Sequence, residues 1–251
     1  MAVLEVRDLA KAYGGVHAVR GVSFDVAAGE LVALIGPNGA GKTTTFNMLD
    51  GQIKPDGGRV ALDGRDVTGL AARALWRMGV GRTFQIAATF PSLSVAENVE
   101  VALMSHAGTL GLFRRGRRDA RTRARSLLEL IGMAAQAEST CGELAYGDIK
   151  RIELAIALAN APRLLLMDEP CAGMAPQERD QLMRLAARMA REQNTAVLFT
   201  EHDMDVVFGH ASRVLVMNRG RLIAMGAPAE VRSNPEVREV YLGSRAAASV
   251  G

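Results

Sequence analysis

ELVALIGPNGAGKTTTFNMLDG, residues 30–51, decides the fold. ELVALI reads as a short apolar strand and KTTTFNMLDG as the start of a helix. Between them, GPNGAGKT (36–43) fits the spacing G-x-x-x-x-G-K-S/T in the strand–loop–helix context that this motif requires. Gly36, Gly39 and Gly41 let the backbone curl so that its N–H groups point inward, towards phosphate oxygens. The helix N-terminus adds partial positive charge. Lys42 is placed to bridge the β- and γ-phosphates of a nucleotide, and the Thr43 hydroxyl to ligate Mg²⁺. With Pro37, Asn38 and Ala40 inside the loop and Thr44 after it, the whole stretch is a candidate nucleotide site. A chance glycine-rich turn would not bring composition, spacing and flanks together.

A second stretch answers the first. LLLMDEP (164–170) places Asp168 and Glu169 side by side at the end of an apolar strand. Adjacent carboxylates repel, and a buried charge needs a partner. A nucleotide's Mg²⁺ supplies one. Strand side chains alternate in direction, so the two acids need not share a task. Asp168 is expected to act through the metal's water shell, and Glu169 to orient or deprotonate an attacking water. A helix-capping acid pair would leave the preceding apolar run unexplained.

The rest of the chain agrees with a nucleotide-binding α/β protein. Its 251 residues suffice for one large domain with a lobe, and 49% hydrophobic with 23% charged residues is a globular composition. A net charge of +3 and 4% aromatic residues give no case for a nucleic-acid partner. Cys141 and Cys171 form no CxxC pair and read as idle or buried thiols in a reducing compartment. No signal peptide and no membrane span stand out, so a cytosolic location, with room to sit against a membrane, is expected. VLEV, GVSFDV and RVALD read as strands, as do LLLM and AVLFT; RVLVM-NRG-RLIAM reads as a hairpin. Residues 70–80, 117–132, 147–160 and QERDQLMRLAARMAREQ (177–193) read as helices. Uniformly apolar strands alternating with helices predict a parallel sheet covered on both faces. The mostly β beginning and the helix-rich middle suggest two added subregions. The Arg-rich run 114–125 is the one marked charge run.

These motifs, in this order, resemble the ATP-binding subunits of ABC transporters over nearly the whole chain. Tyr13 in KAYGG matches the aromatic that stacks on adenine; the alternative is a turn residue. Gln85 in GRTFQ matches the glutamine that touches Mg²⁺ and the attacking water; the alternative is a surface amide. LAYGDIKR (144–151), with Ala145, Tyr146 and Gly147, matches the signature that opens a helix and grips ATP held by the opposite subunit. CAGMAP (171–176) occupies the D-loop. His202 in TEHDM matches the switch histidine on the γ-phosphate; the alternative is a surface salt bridge with Glu201 and Asp203.

The resemblance implies a P-loop NTPase with a parallel-sheet core, an N-terminal antiparallel β subdomain and an inserted helical subdomain. The chain would then be a single ABC ATPase domain, 1–251. Residues 1–88 and 162–251 would form the core lobe, and 89–161 the helical signature subdomain. GRTFQ, ATFPSLSVAENV, EHDMDVV and PEVREVYLG are similar, more finely, to subunits serving branched-chain and other hydrophobic amino acids. Importers of urea or amides share much of this pattern, and a metal-cluster assembly scaffold is the alternative outside transport. The implied cofactors are ATP and Mg²⁺. The implied partners are two membrane permease subunits at the cytoplasmic face, a second and distinct ATPase subunit, and indirectly an extracytoplasmic solute-binding protein. Two positions depart from the family pattern: Asp148 stands where Gln is usual, and Ala175 where Asp or Asn is.

Overall fold

The computed structural model describes residues 2–83, 89–106 and 114–248, the side chains of 106, 114–117 and 242–248 excepted. In chain order the strands are β1 (Ala2–Tyr13), β2 (Val16–Ala27), β3 (Leu31–Ile35), β4 (Gly57–Leu62), β5 (Arg65–Asp66), β6 (Val80–Thr83), β7 (Leu164–Asp168), β8 (Ala196–Thr200), β9 (Arg213–Asn218) and β10 (Arg221–Gly226). The helices are α1 (Lys42–Leu49), α2 (Ala72–Arg77), α3 (Val95–His106), α4 (Arg114–Leu130), α5 (Tyr146–Leu158), α6 (Pro176–Gln193), α7 (Met204–His210), α8 (Pro228–Ser233) and α9 (Pro235–Ala248).

The central sheet has the order β10-β9-β3-β8-β7-β6; β9, β3, β8, β7 and β6 run parallel, and β10 returns antiparallel. Its strands are apolar along their whole length because both faces are covered. On β3, Leu31, Ala33 and Ile35 enter a core shared with α3–α6, whereas Val32 and Leu34 enter a second core beneath β1, β2 and β4. β7 and β8 divide the same way, Leu165, Met167, Val197 and Phe199 on the helical side and Leu164, Leu166, Ala196 and Leu198 opposite.

The expected N-terminal strands form the antiparallel sheet β2-β1-β4-β5. β1 and β2 are much longer than the apolar cores VLEV and GVSFDV, because the antiparallel ladder carries polar residues on its exposed face. The hairpin read at NRG closes through Arg219 and Gly220, both at positive φ (46° and 83°), as a two-residue hairpin turn requires. The helix read over 70–80 stops at Arg77. Gly79, at φ 92°, turns the chain, and Val80–Thr83 become an edge strand beside β7. Helical period masked that strand, because its four residues are too few to show a period of their own. Both cysteines are buried and free. Arg118, Arg121 and Arg125 lie exposed on α4, while Arg123 donates to the Ala159 carbonyl at 3.2 Å. Among the described residues no helix is long and apolar enough to cross a membrane.

Candidate functional site

β3 delivers the chain into the loop Gly36–Gly41, and α1 begins at once behind it. Gly41 is held at φ 103°, and a Cβ there would stand 2.4 Å from the Ala18 carbonyl oxygen, so both backbone angle and space demand glycine. The loop is braced from outside by Gly220, whose N–H donates to the Ala40 carbonyl at 3.0 Å. α1 has no side-chain cap and no acid in its first turn. Its leading N–H groups therefore face the cleft with no protein acceptor from a capping side chain, which is the arrangement that binds an anion.

Lys42 folds back over this loop. Its Nζ donates to the Gly36 carbonyl at 2.7 Å and to that of Pro37 at 3.3 Å. Burial lowers its pKa, and Glu169 and Asp168 push the other way. A desolvated ammonium facing two carboxylates across a cleft fits a polyphosphate bridged by a divalent cation.

The cleft itself measures about 280 Å³. Tyr13, Asn38, Gly39, Ala40, Gly41, Lys42, Thr43 and Thr44 line one side, and Asp168, Glu169, Thr200 and His202 the other. Thr43 is exposed at its mouth. Among the described residues no group of three or more His, Cys, Asp or Glu side chains is placed to hold a metal unaided. Of the oxygens lining the cleft, the Thr43 hydroxyl and the Asp168 carboxylate are the ones the motifs match to a metal, and so sparse an oxygen set suits Mg²⁺, which takes its remaining ligands from phosphate and water.

The two adjacent acids part company, though strand alternation is not the reason. Asp168 ends β7 opposite Thr200 of β8. Thr200 Oγ1 donates to Asp168 Oδ1 at 2.7 Å, and Arg82 Nη2 to Oδ2 at 3.1 Å. Glu169 leaves the strand at φ 48°, its N–H anchored on Thr200 Oγ1 at 3.1 Å. That left-handed step sends its carboxylate to His202, whose Nε2 lies 2.9 Å from Glu169 Oε1. The rival reading of His202 as a surface ion pair with its neighbours fails. Glu201 is buried and accepts from the Cys171 N–H at 2.7 Å and the His202 N–H at 3.3 Å. Asp203 caps α7 and pairs with Arg179. Burial raises the pKa of Glu201 and of the adjoining Cys171 thiol.

Tyr13 ends β1 as an exposed residue (48%) with the Lys11 ammonium 5.7 Å from its ring centroid, which leaves room for a planar partner. Gln85 lies outside the described residues. Ala145, Tyr146 and Gly147 do not line this cleft. They open α5, with Ala145 at the N-cap. There the Tyr146 ring packs over Gly173 and beneath Lys150 Nζ, 5.4 Å from its centroid. Gly147 faces Glu178; a Cβ at 147 would stand 2.6 Å from Glu178 Oε1. Arg82 and Thr200 have no part in the sequence motifs, and Glu201 enters there only as a rival partner for His202. Arg82 stands inside the quoted GRTFQ, but its partners lie far along the chain.

A family profile described as ABC transporter matches residues 19–172, and one described as branched-chain amino acid ATP-binding cassette transporter matches residues 221–247. The chain is 41% identical over 249 residues to the high-affinity branched-chain amino acid transport ATP-binding protein BraF of Pseudomonas aeruginosa, spanning 96% of this chain and 98% of that protein. It is 42% identical, over the same shares, to the transport ATP-binding protein LivG of Salmonella typhimurium. Among solved structures, the ADP conformation of MJ1267, an ATP-binding cassette of an ABC transporter, superposes with a TM-score of 0.85 at 29% identity, covering 97% of this chain and 99% of that one.

Proposed function

Because the chain belongs to the ABC transporter family as one of its ATP-hydrolysing subunits, we propose that it powers the import of branched-chain amino acids through membrane permease subunits. The observation that carries this reading is the pairing of Glu169 with His202 at 2.9 Å in the cleft that Lys42 also lines, in a chain whose C-terminal residues 221–247 match the branched-chain profile.

The residues divide the work as follows. Lys42 and the α1 N–H groups hold the β- and γ-phosphates, and Tyr13 stacks on the adenine. Thr43 and Asp168 would hold Mg²⁺, which would supply neutralisation of the phosphate charge. Glu169 takes the proton of the attacking water, while His202 fixes the Glu169 carboxylate and reaches towards the γ-phosphate. Gln85, by its match to the family glutamine, would complete the water and metal contacts. Ala145, Tyr146 and Gly147 serve the ATP of an opposite subunit, which agrees with their place away from this chain's own cleft. That subunit is a second, distinct ATPase chain, and two permeases receive the motion at the cytoplasmic face of the membrane. An extracytoplasmic solute-binding protein delivers the amino acid. Residues 89–161 act as the signature lobe and the remainder as the core lobe.

The test is transport. The chain, co-purified with its permeases and reconstituted in vesicles, should support ATP-dependent leucine uptake. Glu169→Gln should lower hydrolysis and uptake by about a hundredfold or more, the usual contribution of a general base, while ATP binding persists. Uptake by the variant at the parental rate removes Glu169 from its role. Uptake of urea with no uptake of leucine redirects the solute.

A further inference from the structure

One guanidinium joins the phosphate-loop helix to the magnesium carboxylate. Arg82, on β6, donates from Nη1 to Asn47 Oδ1 at 2.9 Å and to the Asp50 carboxylate at the end of α1. Its Nη2 donates to Asp168 Oδ2 at 3.1 Å. The side chains of Arg82, Asp50 and Asp168 are 11%, 8% and 13% exposed, so the cluster is shielded from solvent. Gln52 holds Asp50 in turn, its N–H to Oδ1 at 3.1 Å and its Nε2 to Oδ2 at 2.9 Å.

We propose that Arg82 is a positioning residue for Mg²⁺ binding, orienting Asp168 against α1 through a directional N–H rather than through net charge. This rests on the Mg-ATP reading above. Two carboxylates share one guanidinium, and Asp50, in direct contact, neutralises much of its charge. What Asp168 receives is chiefly a hydrogen bond on Oδ2, matched by that of Thr200 on Oδ1. The two bonds hold the carboxylate at both oxygens while Asp168 still lines the cleft. Removing such an outer partner typically costs about 10–100-fold in metal affinity. Because α1 also begins the phosphate loop, the same guanidinium sets the metal carboxylate in register with the cradle.

The experiment reads binding, not turnover. A fluorescent ATP analogue is titrated against the full chain carrying Glu169→Gln, with Mg²⁺ varied from none to saturating. Arg82→Met should raise the Mg²⁺ concentration for half-maximal binding about tenfold or more, with Mg²⁺-free binding of the analogue changed less than about twofold. Asp50→Asn keeps the guanidinium but uncovers its charge beside Asp168, so it too should raise the Mg²⁺ requirement. Arg82→Lys, a single donor without the fork, should restore part of the loss. If Arg82→Met does not fold, Asp50→Asn and Arg82→Lys decide. A Mg²⁺ requirement unchanged in every soluble variant overturns the proposal, as does an equal loss with and without Mg²⁺, which marks a merely structural link. A parent chain that bound the analogue indifferently to Mg²⁺ would overturn the Mg-ATP reading itself, a result visible before any variant at 82 is made.

Discussion

Lys42 carries a cost that the nucleotide removes. It is 8% exposed, and burial lowers its pKa from the ordinary lysine value. The nucleotide-free fold therefore binds less proton than the unfolded chain between the folded pKa and 10.5. Stability must rise with pH through that window, and the penalty is fully present below it. Denaturant unfolding of the nucleotide-free chain at pH 8 and pH 10 should show the parent gaining on Lys42→Met at the higher pH. Saturating Mg-ATP should flatten the difference, since phosphate raises the same pKa. Equal pH slopes in parent and variant would show that Lys42 carries no such penalty. The loop, the acid pair and His202 were all legible in the sequence, because each motif is local. Thr200 and Arg82 were not. Their partnership with Asp168 depends on the register Asp168↔Thr200 and on β6 lying beside β7, and neither is written in any short stretch.

At the scale of elements, α6 begins under-capped. Ala175 sits at its N-cap with no acceptor to offer, so only half of a capping box remains: Glu178 Oε2 accepts the Ala175 N–H at 3.0 Å. Pro176 at the first helical position supplies the rest of the start signal. Ala175→Asn should stabilise the chain by about 1 kcal/mol. Glu178→Ala should destabilise it by a similar amount and also release Gly147, which the carboxylate abuts. Thermal unfolding of the two variants checks both signs; an Ala175→Asn variant less stable than the parent would mean the backbone there cannot accept the cap. Helices α5 and α6 were read from their period almost to the residue. The departure at 175 was read from family pattern instead, and it acquires a physical meaning only once the helix boundary is known.

The whole molecule hangs on one sheet with a core on each face. Leu165 faces the helices and Leu166 the antiparallel sheet, and both are at most 2% exposed. Leu→Ala at either should cost about 2–5 kcal/mol. Because neighbouring residues of one strand serve both cores, each loss should appear in a single shared transition. Far-UV circular dichroism and Trp76 fluorescence, followed together through denaturant, should coincide in both variants; separated midpoints would show two independently melting halves. The alternation of apolar strands with helices made this architecture legible, since strands buried on both faces have no polar side to display. The long antiparallel strands and the short edge strand β6 were harder: one is half polar, and the other is brief enough to be absorbed into the helix before it.

Glu169 stands at φ 48°, a conformation that costs a non-glycine residue on the order of 1–2 kcal/mol. Its contact with His202 is half-exposed and returns little of that. An engineer ranking substitutions by melting temperature would accordingly find glycine at 169 among the attractive choices, and would obtain a sturdier cassette with no motor in it. Thermostability campaigns on this chain need a turnover screen at that position before any other.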